Sequence, residues 1–428
     1  MRLASWWSHP PRKRIPMNLG RPDRTNPGAI PVTATLIGTI AIQTAVPPFA
    51  TDMYTPAFPA VTSDLGTTAA LVGLTLTTFF LGFALGQLVG GPWSDQRGRR
   101  RPIIVGALVC ALGAIACALA PSIWFLVAAR VAQGFGGGVA AAVARAVLVD
   151  VAAGDVLARI MSVLQAVGGL APMIAPVAGA LVLTAGNWRT LFWTLAGFGG
   201  LMVITAVWFI PETLTPERRH GGGLRQSISG IREVLRVRQF VAYALTATFS
   251  GFTMMGYIAN SSYVLQEMKG LTPLAFSLFF ASTALAQVLL SIVNARMIGR
   301  FRPRSLIRVG VTAAAIAVVG LTLGVVLWDT PLVLTGAGFL IVMASQAFVF
   351  GNSSALGALE VRHLAGAAAA MQGVAGASAM AISAPLASAG GGATALPMVG
   401  VMIVGVFGCL ISFSLANPDR RRRRQRPA

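Results

Sequence analysis

The chain has 428 residues and a net charge of +20, and 55% of its residues are apolar against 11% that are charged. Its mean hydropathy is positive, at +0.73. This composition excludes an ordinary soluble domain and predicts a protein of the lipid bilayer. Only three cysteines and three histidines occur, which favours neither a disulfide framework nor a metal centre. We therefore expect no catalytic residues, no metal and no cofactor.

Twelve apolar segments follow one another along the chain, each near or above the ~18 to 20 residues that cross a bilayer. In lipid the backbone can satisfy its hydrogen bonds only internally, so each segment is predicted to be a helix. The sequence thus predicts an all-α integral membrane protein with twelve transmembrane helices. Their predicted bounds are 32–58, 68–91, 102–120, 122–148, 159–185, 188–210, 239–265, 273–297, 305–328, 331–356, 366–388 and 396–416.

The longest polar interruption divides these helices into six and six. A shift of about 200 residues places Phe79 on Phe279 and, with one inserted residue, Gly98 on Gly299. Parallel repeats of this kind are typical of transporters whose substrate site lies between the two halves. The predicted parts are a basic N-terminal segment (1–31), an N-terminal six-helix bundle (32–210), a central linker (211–238), a C-terminal six-helix bundle (239–416) and a basic tail (417–428).

The basic residues are distributed unevenly between the two sides of the predicted bundle. Of the 33, 29 fall in the terminal segments and in alternate loops, whereas the opposite side carries Arg189 and Lys269. By the positive-inside rule, both termini are cytoplasmic, and we expect a multi-pass protein of a bacterial cytoplasmic membrane. The basic tail is interpreted as a topology anchor that touches membrane lipid. An RNA-binding arm is the less favoured alternative, so no nucleic acid partner is expected.

Four stretches carry a family resemblance. GPWSDQRGRRRPI, from Gly91 to Ile103, fits the pattern G-x-x-x-D-x-x-G-R-[RK] and resembles the signature loop of the major facilitator superfamily. ARVAQGFGGG (129–138) is similar to the superfamily's R-x-x-Q-G element, and GGLAPMIAPVAGA (168–180) resembles its helix 5 antiporter motif, with Ala175 where a glycine is usual. TDMYTPAFPAV, LAPSI and SSYVLQEMKGLTPLAFSLFFA look like the bicyclomycin-resistance type of multidrug exporter. The resemblance covers roughly residues 35 to 415.

The resemblance implies roles for the loop and for helix 5. The loop is expected to latch the two halves on the cytoplasmic side, with its glycines forming the turn and its carboxylate accepting bonds from arginine; a topology signal is the alternative. Helix 5 is expected to form a bent, leak-tight seam, unless its residues are ordinary membrane enrichment in proline and glycine. The latch residues are Gly91, Asp95, Gly98, Arg99 and Arg100, and those of helix 5 are Gly168, Gly169, Pro172, Pro176 and Gly179.

Asp52 and Arg130 are predicted to be the deepest charges, at one level in helices 1 and 4. A charge within the membrane is costly and marks a functional site by default. A carboxyl balanced between desolvation and a nearby arginine can load and release a proton, so we assign proton coupling to this pair. Binding of a drug cation by Asp52, with or without a proton role, is left open. The alternatives are that Asp52 merely ends helix 1 in interfacial water beside Pro56, and that Arg130 is a structural hydrogen-bond anchor.

A pliable pocket for amphipathic compounds is expected among apolar helices with scattered amides and aromatics. Any of these side chains could equally join helix to helix. The candidates are Gln133, Tyr257, Asn260, Tyr263, Gln287, Gln346 and Gln372.

The leading hypothesis is a monomeric exporter that exchanges drug-like compounds for protons by alternating access, driven by the proton gradient. The alternative is proton-coupled uptake of a small metabolite. The resemblance of helix 5 to an antiporter motif disfavours it, although that motif is altered at Ala175. A non-transporting receptor or scaffold would not need Asp52 and Arg130 inside its helices. A primary pump is disfavoured because the chain lacks a Gly-x-x-x-x-Gly-Lys-[Ser/Thr] phosphate loop.

Overall fold

The computed structural model describes residues 32–152, 154–215, 232–361 and 365–416. The predicted basic segments at 1–31 and 417–428 lie outside these ranges, as does most of the predicted linker. Within them the chain forms twelve long helices, and the prediction of an all-α protein is confirmed. The helices are α1 (Ala34–Asp64), α2 (Ala69–Arg97), α3 (Arg100–Ala118), α4 (Ile123–Val151), α5 (Gly154–Ala185), α6 (Trp188–Phe209), α7 (Arg238–Ser262), α8 (Pro273–Met297), α9 (Pro303–Leu327), α10 (Leu332–Glu360), α11 (Ala365–Ala387) and α12 (Leu396–Leu415).

Among the described residues, eleven helices are both long enough and apolar enough to cross a membrane. The exception is α7, which has 25 residues but a more polar composition. Several of its hydroxyl and amide side chains, including those of Thr246, Ser250 and Asn260, are buried inside the protein. Because these groups face other helices, the low hydropathy of α7 reflects an interior position. The seventh predicted segment, 239–265, is therefore also a long helix.

Helix α1 is broken in the middle. It consists of α-helical pieces at Ala34–Thr44, Val46–Asp52 and Phe58–Asp64, with a 3₁₀ turn at Thr55–Ala57 before the last. Prolines at positions 47, 48, 56 and 59 remove backbone donors throughout this region, which explains why a continuous ladder cannot form. The predicted end at residue 58 is wrong by six residues, because the chain resumes a helical path beyond Pro56.

Two glycines that the predicted repeat aligns share an unusual backbone conformation. Gly98, between α2 and α3, has φ of +88°, and Gly299, between α8 and α9, has φ of +99°. Both residues thus adopt a conformation that is open mainly to glycine. The two loops lie at the same end of the bundle, which we call the basic end. The two halves contact one another chiefly through α2 with α11 and through α5 with α8.

Candidate functional site

The break in α1 places a carboxyl group between the two halves. Asp52 is the last residue of the second helical piece, and it is 7% exposed. Its side chain accepts a hydrogen bond from the Thr51 hydroxyl at 3.0 Å, and the 3₁₀ turn at Thr55–Ala57 that follows it packs against α7 and α8 of the other half. The span continues for twelve residues beyond Asp52, or about 18 Å of helical rise. The carboxyl group is therefore buried near the middle of the α1 span, which disfavours the alternative of a position in interfacial water.

Arg130 of α4 holds the backbone of the broken helix. Its Nη1 donates to the carbonyl of Ala50 at 2.9 Å, which agrees with the prediction that Arg130 and Asp52 lie at one level. The same atom donates to the Gln133 side chain at 2.8 Å. The guanidinium is fully buried and lies 4.6 Å from the ring centroid of Phe79.

No described carboxylate forms an ion pair with Arg130. Arg130 of α4 thus bonds to the α1 backbone close to Asp52 but not to the Asp52 carboxyl group. The geometry favours the alternative in which Arg130 is an anchor, because its hydrogen bonds fix the chain two residues before Asp52 and do not engage the carboxyl group.

The end of the helix 5 motif lies directly against the break. A Cβ atom added to Gly179 would overlap the carbonyl oxygen of Met53 and lie 3.0 Å from its carbon. Pro172 and Pro176 occur inside α5, which is continuous from Gly154 to Ala185. By contrast, a Cβ added to Gly168 would have no heavy atom within 4 Å. Only one part of this motif therefore depends on close helix approach.

The predicted pocket residues fall into three groups. Several are bonded to neighbouring groups. The Gln133 amide oxygen accepts a hydrogen bond from Arg130, and the Tyr257 hydroxyl lies 3.1 Å from that of Thr283. Gln346 accepts a hydrogen bond from Ser250, and Gln372 donates to the Ser354 carbonyl at 3.3 Å. The Gln133 contact lies within α4, whereas the other three join two helices of one half, as the alternative interpretation expects.

Asn260 and Gln287 differ from that first group. Asn260 is fully buried, and neither its amide nitrogen nor its amide oxygen has a hydrogen-bond partner. An unpaired buried amide is costly, so this residue keeps hydrogen-bonding capacity for another partner. Gln287 of α8 is half-buried. These two remain pocket candidates, whereas the third case, Tyr263, takes part in a contact between the halves.

Tyr263 belongs to a group that closes the end opposite the basic end. It begins a π-helical turn, Tyr263–Met268, that continues α7. Its hydroxyl lies 2.8 Å from that of Thr62 in α1, and Gln266 donates to the carbonyl of Pro56 at 3.1 Å. Nearer the middle, the Thr77 hydroxyl donates to the carbonyl of Ala381. Hydrogen bonds between the halves thus join the region from the bundle's middle to this end.

The loop between α2 and α3 forms a charge network with the end of α4 and the segment that follows α6. Arg99 pairs with Asp95 at 2.5 Å and with Asp150 of α4 at 2.8 Å. Thr213 donates to Asp150 at 2.8 Å. Burial lowers the pKa of the Arg99 guanidinium, but its hydrogen bonds to Asp150 and Asp95 outweigh burial and raise that pKa above its usual value. The network keeps this arginine charged.

Glu212, which follows α6, secures the start of α3. Its carboxylate accepts hydrogen bonds from the backbone nitrogens of Arg99 at 2.8 Å, Arg100 at 3.3 Å and Leu214 at 3.1 Å. A carboxylate at a helix N-terminus is stabilised by the otherwise unpaired N–H groups there. The role of Glu212 was missed because the sequence separates it from Gly98 by more than a hundred residues. Among the described residues, all bonds of this network stay within the N-terminal half.

One expectation for this loop is wrong. Gly91 does not form the turn, because α2 continues through Pro92 to Arg97 and leaves Gly98 to make the reversal. In the part of the chain that is described, no group of three or more His, Cys, Asp or Glu residues could hold a metal ion.

Comparisons with known proteins agree with this architecture. The family model of the Major Facilitator Superfamily matches residues 40–384. The uncharacterised MFS-type transporter YdgK of Bacillus subtilis (strain 168) is 34% identical over 385 residues, covering 89% of this chain and 94% of that protein. The multidrug resistance protein MdtL of Salmonella heidelberg (strain SL476) is 28% identical over 376 residues, covering 87% and 93%. A bicyclomycin resistance protein homolog of Haemophilus influenzae is 29% identical over 277 residues, covering 65% and 70%.

Among solved structures, the xylose transporter XylE from E. coli, in a partially occluded inward open conformation, superimposes with a TM-score of 0.68. The match covers 89% of this chain and 97% of that chain at 14% identity, so it shows the fold alone. The predicted resemblance is confirmed, and the relatives are transporters and not enzymes. With a family model that spans most of its helices, this multi-pass chain belongs to the Major Facilitator Superfamily of membrane transporters.

Proposed function

We propose that this transporter exports small amphipathic drug-like compounds across a bacterial cytoplasmic membrane in exchange for protons. The basic end faces the cytoplasm, both termini lie there, and the proton gradient drives transport without a cofactor. Asp52 carries the proton. Arg130 positions it, by holding the α1 backbone at Ala50. The working unit is a single chain that alternates between access from one side and access from the other.

The observation that carries this proposal is the place of Asp52. A carboxyl group inside the membrane is costly unless a proton, water or a cationic ligand neutralises it. Asp52 is 7% exposed and lies at a helix break, and the turn that follows it packs against α7 and α8 of the opposite half. No described basic residue forms an ion pair with it. Its proton occupancy can therefore differ between two arrangements of the halves that admit water from different sides.

The names of the relatives support drug export as the direction and class of transport. Two of them are named for multidrug resistance and for bicyclomycin resistance. Asn260, with both amide atoms unpaired in the buried part of α7, offers a donor and an acceptor to a polar group of a bound compound. Three residues earlier on α7, the ring of Tyr257 stacks on that of Phe280 in α8. Aromatic rings beside a few polar groups suit amphipathic ligands.

The test is transport by purified protein in liposomes with an imposed pH gradient. Susceptibility profiling of a host with and without the protein first supplies a transported drug, and a neutral one is chosen. The unmodified protein should accumulate this drug against its gradient and should move protons in the opposite direction. Asp52→Asn removes the titratable proton while keeping the shape, so uphill transport should be lost. Downhill exchange can persist because the amide still forms hydrogen bonds.

The matched control is Asp329→Asn, which makes the same chemical change at an exposed loop residue with φ of +46°. An asparagine tolerates this backbone conformation, so uphill transport should continue. Uphill accumulation by Asp52→Asn at the wild-type level would reject Asp52 as the proton carrier. Protons and drug moving in the same direction would instead establish the uptake symporter.

A further inference from the structure

A cavity of about 260 Å³ lies outside the central site, at the basic end of the N-terminal half. Thr33 and Leu36 line it from the start of α1, Arg100 from the start of α3, and residues 208–211 from the end of α6. This volume is slightly below the ~300 to 1,000 Å³ of typical small-molecule sites. The cavity thus has room for a small polar group and not for a drug-sized compound.

One cation dominates the cavity. The exposed Arg100 side chain donates from Nη2 to the carbonyl of Val207 at 2.7 Å, which fixes its direction. In the described part of the chain the guanidinium of Arg100 forms no ion pair. The nearby carboxylate of Glu212 bonds to the backbone nitrogen of Arg100 and not to its side chain. The remaining guanidinium donors are available to an anion, and phosphate oxygens match their fork geometry.

The rim of the cavity is exposed and apolar, as expected for a surface in contact with lipid. Trp208 is 74% exposed and Phe209 44%. One helical turn along α6, Ile204 is 48% exposed, and the neighbouring α3 exposes Val105 and Leu108 by 41% and 45%. An apolar track therefore leads from the cavity along α3 and α6 toward the middle of the membrane. Tryptophan and arginine together are typical of the headgroup level of a bilayer.

We propose that this cavity is a binding site for one anionic phospholipid from the leaflet at the basic end. The lipid phosphate pairs with Arg100, and an acyl chain lies on the apolar track below Trp208. Free inorganic phosphate could form the charged contact but would gain nothing from the aromatic rim. The structure therefore assigns the site to a lipid. This assignment does not depend on which compound the central site transports.

The test is native mass spectrometry of the full-length protein in detergent, with added phosphatidylglycerol, phosphatidylcholine or inorganic phosphate as separate probes. One phosphatidylglycerol should bind more tightly than the zwitterionic lipid, and inorganic phosphate should not compete at equal concentration. Arg100→Gln should weaken phosphatidylglycerol binding about tenfold, the loss expected for a charge-assisted hydrogen bond. Arg101→Gln removes the same charge from the next residue, which does not line the cavity, and should change binding less than twofold.

A second variant keeps the proposal testable if Arg100→Gln fails to fold. Trp208→Ala keeps the charge but removes the apolar rim, so it should also weaken phosphatidylglycerol binding. Equal losses in Arg100→Gln and Arg101→Gln would show unspecific attraction and overturn the proposal. Competition by inorganic phosphate would show an anion site without lipid recognition, which also overturns it.

Discussion

Substituting Gly179 by alanine tests whether the helix 5 motif supports the break in α1. The added Cβ would lie 3.0 Å from the carbonyl carbon of Met53 and 3.2 Å from its Cα, while ordinary van der Waals contact begins at 3.4 Å. Backbone atoms of a neighbouring helix cannot rotate away as a side chain can. The two helices must therefore separate by about 0.4 Å to relieve the carbon contact, and by more to relieve the oxygen contact.

The expected cost follows from this overlap. Overpacking of a well-packed interior costs about 1 to 3 kcal/mol. If only the arrangement seen here bears that cost, the balance between the two access states shifts about 5- to 150-fold. Gly179→Ala should therefore lower drug efflux from cells and from liposomes at least fivefold, with normal amounts of protein in the membrane. A lower thermal unfolding temperature in detergent should accompany the loss.

The same substitution at Gly168 is the control. It lies in the same helix and motif, and a Cβ there meets no heavy atom within 4 Å. Alanine is the better helix former by about 1 kcal/mol, so Gly168→Ala should transport normally and unfold at the same or a higher temperature. Wild-type efflux and unfolding temperature in Gly179→Ala would refute the argument, because the close approach to Met53 would then have no consequence.

Three further predictions concern the gate, the charge network and the topology. Tyr263→Phe removes the hydroxyl that meets Thr62, a bond worth about 0.5 to 1.5 kcal/mol, so labelling of a cysteine placed in the central site from the non-basic side should speed up severalfold; unchanged labelling would count against the gate. Asp150→Asn should reduce transport more than Asp95→Asn, because their side chains are 13% and 48% exposed and the buried partner of a charge matters more; equal or reversed losses, measured as efflux at matched expression, would contradict this. A reporter fused after residue 428 should show cytoplasmic activity and one inserted at residue 391 should not, and the reverse pattern would overturn the charge-based orientation.

The parts of the fold that depend on local composition could be predicted from the sequence. The apolar segments marked the helices, and the shift that paired Gly98 with Gly299 identified two loops with the same unusual backbone conformation. Helix boundaries near proline were less predictable. The first span extends to Asp64 because a 3₁₀ turn carries the chain past Pro56, and such a turn has no strong pattern of its own.

The partners of the charged residues could be predicted only in part. The pairing of Asp95 with Arg99 was accessible because the two are four residues apart on adjoining elements. The pairing of Arg99 with Asp150 and the bonds of Glu212 depend on how α3, α4 and the end of α6 pack together. Arg130 shows the same limit, since its depth was predictable but its choice of the Ala50 carbonyl over Asp52 was not. Tertiary geometry decides which nearby acceptor a buried guanidinium reaches.

The broken helix connects the candidate proton site to the closed end of the bundle. Asp52 ends one helical piece of α1, and the carbonyl of Pro56 and the hydroxyl of Thr62, farther along that helix, bond to the π-helical turn of α7. Arg130 fixes the chain just before the break. A change in the charge of Asp52 therefore acts on a segment that is anchored on one side and forms the gate contacts on the other. With Asp52 as the proposed proton carrier, protonation and gating share one element, and no separate relay between them is required.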